Sequence, residues 1–131
     1  MALVIVDTDV LIDHLRGFGP SVGQVTSLSE AGRLRTTTIS LFELLTGAGE
    51  GPRGDAVRQL VEDLEAFELD RKSSTIAAEI RRELDAAGQA IGTADCLIAG
   101  ICLAHNVPLL TRNRRHFSRV PNLELFEGNH A

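Results

Sequence analysis

Residues Leu3 to Val6 form a short apolar, β-branched run that stops at an acid, Asp7. Such a run reads as a strand buried on both faces, and a strand of that kind needs helices on both sides of its sheet. Two more acids, Asp9 and Asp13, follow within a few residues. A carboxylate at the end of a buried strand gives up water, so its position raises the question of what it binds instead.

The rest of the chain alternates in the same manner. Asp9 can cap a helix over Val10 to Arg16, which Gly17 stops. Pro20 to Ala31 reads as a helix ended by Gly32. The threonine-rich stretch Leu34 to Ile39 reads as a second strand. Ser40 opens a helix toward Thr46, and Gly47 to Gly54, with four glycines and a proline, reads as a loop. Val57, Leu60, Val61 and Leu64 make a helical stripe within Asp55 to Phe67. Phe67 to Leu69 is a candidate short strand. Ser73 caps a helix over Thr75 to Ala87, and Thr93 opens another through His105, apolar nearly all round and so buried. Pro108 to Thr111 reads as a further strand and Leu123 to Phe126 as a last edge strand. Strands alternating with helices imply a parallel sheet between helical layers, with ligands beyond the carboxyl ends of the strands.

Composition narrows the field. A length of 131 residues fits one domain, 1–131. An apolar share of 44% and a charged share of 24% are those of a globular chain. No stretch approaches the roughly 20 apolar residues of a membrane span, and the N-terminus lacks the features of a signal peptide, so a cytoplasmic location without membrane contact is expected. Cys96 and Cys102 would point to different faces of one helix, which makes them small core residues rather than a disulfide or a zinc site. A net charge of −5 argues against broad, sequence-blind nucleic-acid binding. Even so, Arg112, Arg114, Arg115, His116 and Arg119 gather near the C-terminus.

Three carboxylates fall at one predicted rim. Asp7 ends the first strand, Glu43 lies in the first turn after the second, and Asp95 lies in the first turn of the buried helix. Each also has a local explanation. Asp7 or Asp9 can cap a helix, Ser40 to Glu43 spells a capping box, and Asp95 suits a helix N-terminus. Together they ask for more than three caps, because clustered carboxylates repel unless a cation intervenes. All-oxygen donors suit Mg²⁺ or Mn²⁺, which can activate water and neutralise charge on a phosphoryl oxygen. Phosphodiester hydrolysis is the chemistry expected. The chain has no Gly-x-Ser-x-Gly elbow and no Gly-Lys-Ser/Thr phosphate loop.

The stretches V-I-V-D-T-D-V-L-I-D, T-T-T-I-S-L-F-E-L-L-T-G, I-G-T-A-D-C-L-I-A-G and L-L-T-R-N-R-R-H-F resemble, in order, the motifs of PIN-domain ribonucleases, closest to the VapC-type toxins of bacterial toxin–antitoxin pairs. The resemblance spans Val4 to Phe117. It implies a three-layer α/β/α sandwich with a mostly parallel sheet of about five strands. It also implies an Mg²⁺-dependent endoribonuclease, with Mn²⁺ able to substitute. On this pattern Asp7, Glu43 and Asp95 match the metal ligands. Asn113 matches the last, variable polar position; it supplies no full charge, and the number of ions, one or two, stays open. Thr8 orients the site through its hydroxyl. Beside the resemblance, the Arg112–Arg119 cluster has two readings of equal weight: Arg112, Arg114 and Arg115 contact RNA phosphates, or the cluster is a solvated basic turn that balances the acids. Asp9 is expected to cap its helix, and Asp13 to be structural or part of a polar rim. The resemblance further implies a homodimer and a cognate, VapB-like antitoxin whose C-terminal segment crosses the acidic groove.

Two alternatives remain at this level. One is a PIN fold that has lost activity and only binds a partner. The other is a phosphatase of the haloacid-dehalogenase type, suggested by Asp7-Thr8-Asp9 after a strand. The latter needs a lysine at the phosphate, and Lys72 is the only lysine in the chain.

Overall fold

The computed structural model describes residues 2–127. Strand β1 (Val4–Val6) lies inside a parallel sheet whose other members are β2 (Leu34–Thr37), β3 (Ala66–Phe67) and β4 (Leu109–Leu110), in the order β3-β2-β1-β4. Val4 pairs with Leu34 and Ile5 with Arg35 on one side of β1. Ile5 pairs with Leu109 and Val6 with Leu110 on the other. Leu109 also makes a parallel bridge with Leu125, through hydrogen bonds from the Leu109 amide to the Glu124 carbonyl (3.0 Å) and from the Phe126 amide to the Leu109 carbonyl (2.8 Å). The predicted last strand is thus a single bridge, and four strands plus that bridge occupy the places of the five expected.

The alternation of side chains along β1 and β4 divides the core. Ile5 and Leu109 face one layer, built on α5 (Arg71–Ala86) and α6 (Thr93–His105), with Ile80, Leu84, Ile98 and Ile101. Val4, Val6 and Leu110 face the opposite layer, where α1 (Thr8–Leu15), α2 (Ser21–Glu30) and α3 (Thr38–Gly47) supply Val10, Leu11, Val25, Leu28 and Leu44. Val57 and Leu60 of α4 (Pro52–Asp63) pack at the margin of that second cluster. The three-layer sandwich is as expected. So is the burial of α6, and both cysteines are buried and free.

Several boundaries differ, each for a local reason. Asp7, not Asp9, caps α1, because its carboxylate accepts from the Thr8 amide. Thr37 caps α3 by accepting from the Ser40 amide, so the helix starts two residues before Ser40 and the Ser40–Glu43 capping box does not form. Asp70 caps α5, and Ser73 is its reciprocal partner in a capping box rather than the cap itself. Pro52 at the first position of α4 draws the end of the predicted loop into the helix. The basic segment near the C-terminus, to which the sequence pattern gave no element, forms a short helix, α7 (Arg114–Phe117). Its Phe117 is fully buried in the α5–α6 layer. Among the described residues, no helix is long and apolar enough to cross a membrane.

Candidate active site

The carboxyl ends of the central strands meet at one rim. Asp7 leaves β1 and is only 6% exposed. One of its carboxylate oxygens accepts from the Thr8 amide at 2.8 Å and the other from the Thr111 hydroxyl, just beyond β4, at 2.7 Å. Asn113 is then folded back, its amide donating to the Thr111 hydroxyl oxygen at 3.0 Å. The Asn113 carboxamide reaches Asp95 at 3.4 Å and the His116 ring at 3.0 Å. From the other side, the Thr8 hydroxyl donates to Glu43 at 2.6 Å and lies 2.9 Å from the Ser40 hydroxyl. The end of β1 and helices α3 and α6 therefore place Asp7, Glu43 and Asp95 along one rim, joined through Thr8, Thr111 and Asn113.

The acids sense one another. Burial pushes the Asp7 carboxyl up to about 7, and the Asp9 charge adds to this. The Thr111 and Thr8 hydrogen bonds act against the rise, while Asp95 adds to it. Asp95 is raised first by burial, then by Glu43; His116 opposes this and Asp9 reinforces it. Asp9, which the sequence assigned to capping, is also raised by burial and takes part in the same cluster. Its carboxylate accepts the Arg112 amide at 3.2 Å, which ties the start of α1 to the segment after β4. Sequence spacing could not reveal that link, because its partner is 103 residues away.

Among the described residues, no three His, Cys, Asp or Glu side chains stand close enough to share one metal ion. The donor set nevertheless fits a hard cation. Mg²⁺ is ordinarily held by one or two carboxylates, with waters filling its other positions. A buried acid drawn up to neutral pH, in part by its acidic neighbours, is the electrostatic state that a cation relieves.

The arginines sit around this rim with partners of their own. Arg112 pairs through Nε with Asp13 at 2.7 Å, which explains Asp13 as the buried anchor of that arginine. Arg114 pairs with Glu127 at 2.7 Å. Arg115 is exposed at the start of α7. Lys72 is exposed in the first turn of α5 and has no ion pair or hydrogen bond among the described residues, so nothing places a lysine beside Asp7 as the phosphatase alternative requires.

Comparison with known proteins follows the same lines. The family model described as PIN domain matches residues 4–123. Ribonuclease VapC2 of Rickettsia felis is 30% identical over 102 residues, covering 75% of this chain and 76% of the relative. The tRNA(fMet)-specific endonuclease VapC of Shigella flexneri is 26% identical over 127 residues, 94% of this chain and 96% of the relative. A crystal structure of DNA-bound VapBC from Salmonella typhimurium superposes with a TM-score of 0.82 at 25% identity, over 96% of this chain and 98% of the other.

Proposed function

Because the chain belongs to the PIN-domain family, and within it to the VapC-type toxins, we propose that it is an Mg²⁺-dependent endoribonuclease and the toxin of a toxin–antitoxin pair acting in the cytoplasm. One observation above all supports this reading: a buried Asp7 held near neutrality while Asp95, Asp9 and Glu43 face the same rim.

Asp7 and Asp95 would hold the ion, with Glu43 completing the acidic set. When bound, Mg²⁺ or Mn²⁺ supplies Lewis acidity and offsets charge on the phosphoryl oxygens. The remaining work belongs to the chain. Thr8 fixes the Glu43 carboxylate by its 2.6 Å hydrogen bond, and Glu43 takes the proton of the attacking water. Asn113 steadies Asp95 and cannot itself add a negative charge. Arg112, Arg114 and Arg115 meet the phosphates on either side of the cut. The cognate VapB-like antitoxin would place a basic side chain among these acids and compete with the ion, and the toxin would act as a homodimer.

Incubation of RNA with the protein, in Mg²⁺ or in EDTA, tests the activity. Cleavage is expected only with Mg²⁺, and Asp7→Asn or Asp95→Asn should lower it by at least a hundredfold. Equal cleavage in every tube would end the assignment, and a wild type that cuts no RNA would favour the inactive binding module. Antitoxin affinity should fall when Asp7, Glu43 and Asp95 are all replaced by Ala; an unchanged Kd would remove the proposed contact.

A further inference from the structure

A cavity of about 370 Å³ opens beside the acidic rim, sharing Thr111, Arg112 and Arg114 with it. It lies against the face of α1 that carries Val10 and Asp13, while Glu43 borders a different hollow with Ile12, Leu15 and Arg16 on another face. Its size falls in the roughly 300–1,000 Å³ range of pockets for small organic groups.

The walls are chemically mixed. Phe18 is 66% exposed, so burial in the core does not account for its ring. It sits between Gly17 and Gly19, both at positive φ (67° and 64°), and its amide is bonded to the Asp13 carbonyl at 2.9 Å. The backbone is thus fixed while the ring stays open. Phe126 lines the cavity as well and is held by the Arg33 guanidinium, 5.5 Å from its ring centre. Ser21 and the half-buried Gln24 line the same space, and their polar side-chain atoms reach solvent there and bond to no other described residue. Arg112 and Arg114 border the cavity with side chains 59% and 43% exposed despite their ion pairs.

The cavity also adjoins the cutting site directly. Thr111 lines it while bonding to Asp7, and the amide of Arg112 is held by Asp9. From these juxtapositions we infer that the cavity is a subsite for one unstacked nucleobase of the RNA, next to the phosphate being cut. Phe18 and Phe126 offer the ring faces, Ser21 and Gln24 offer donors and acceptors to the base edge, and the arginines meet the backbone on the way in. Single-stranded RNA is read by this combination of stacking and edge hydrogen bonds. The inference rests on the nuclease reading and assigns it a specificity determinant.

The test uses the full chain and a pool of random-sequence single-stranded RNA 12-mers in Mg²⁺, with the new ends sequenced. Wild-type protein should show a base preference at one position beside the cut. Phe18→Ala should raise KM by roughly tenfold, as expected for the loss of one stacked base. Ser21→Ala with Gln24→Ala should flatten the preference, and Phe18→Tyr should retain it. Melting curves identify any variant that has merely lost its fold; because Phe18 is mostly exposed, Phe18→Ala should melt as wild type does. Cleavage with an unchanged preference in every folded variant would overturn the subsite and leave the nuclease standing. A wild type that cuts nothing would overturn both. Loss of antitoxin affinity in Phe18→Ala, with cut sites and KM unaltered, would reassign the cavity to a protein partner and overturn the inference.

Discussion

Asp7 does two jobs whose requirements conflict. It caps α1 and it faces other acids while almost wholly buried. Its carboxyl is raised from 3.8 to about 7, so between those values the folded protein keeps a proton that the unfolded chain has lost. Stability from this group is therefore complete at low pH and declines as pH rises through that window. Asp7→Asn removes the penalised charge. Measured in EDTA at pH 8, the variant should be more stable than wild type by about 1–4 kcal/mol, and the gap should close toward pH 4. A lower melting temperature for Asp7→Asn than for wild type at pH 8 would contradict this balance. Mg²⁺ should raise the Tm of wild type at pH 8 and leave the variant nearly unmoved. At this scale the sequence exposed Asp7 because it ends a strand and Asp95 because it starts a helix, while Glu43, expected in a first turn, lies in the second turn of α3 because that helix begins at Thr38. It hid the Thr111–Asp7 bond, the Asp9–Arg112 bond and the Arg112–Asp13 pair, since partnerships across the whole chain leave no local spacing to read.

Among the elements, α6 matters most, because its first turn carries Asp95 and its middle lies against α5. A Cβ at Gly100 would come 2.6 Å from the Ser73 carbonyl oxygen and 2.8 Å from the Ala77 Cβ. Alanine is worth up to about 1 kcal/mol over glycine by helix propensity, but overpacking costs about 1–3 kcal/mol. Gly100→Ala should therefore destabilise by about 1–2 kcal/mol in urea titration. Gly23→Ala in α2, where a Cβ meets nothing, should instead stabilise by up to about 1 kcal/mol. Opposite signs for the two substitutions are the discriminating result. Element order and type were readable from periodicity up to β4, but the four residues of α7 are too few to show a period and the last predicted strand is a single bridge. Their starts were less so: three capping residues, Asp7, Thr37 and Asp70, each precede the residue that the sequence pattern favours. Serine and aspartate compete for the same role within a few positions, and only the tertiary path of the backbone chooses between them.

Across the whole molecule, β1 sits between β2 and β4 and depends on both. The Ile5 amide bonds to the Pro108 carbonyl and the Asp7 amide to the Leu110 carbonyl, each at 2.9 Å. A fragment ending at Asn106 lacks those partners and Thr111. It should show no cooperative thermal transition and cut no RNA; a sharp melt from that fragment would refute the dependence. The Asp7–Thr111 bond joins residues 104 apart, so translation has to pass Thr111 before the constellation can close. A nascent chain that has not reached Thr111 thus lacks a closed site, and an inhibitor has the length of that elongation in which to be ready.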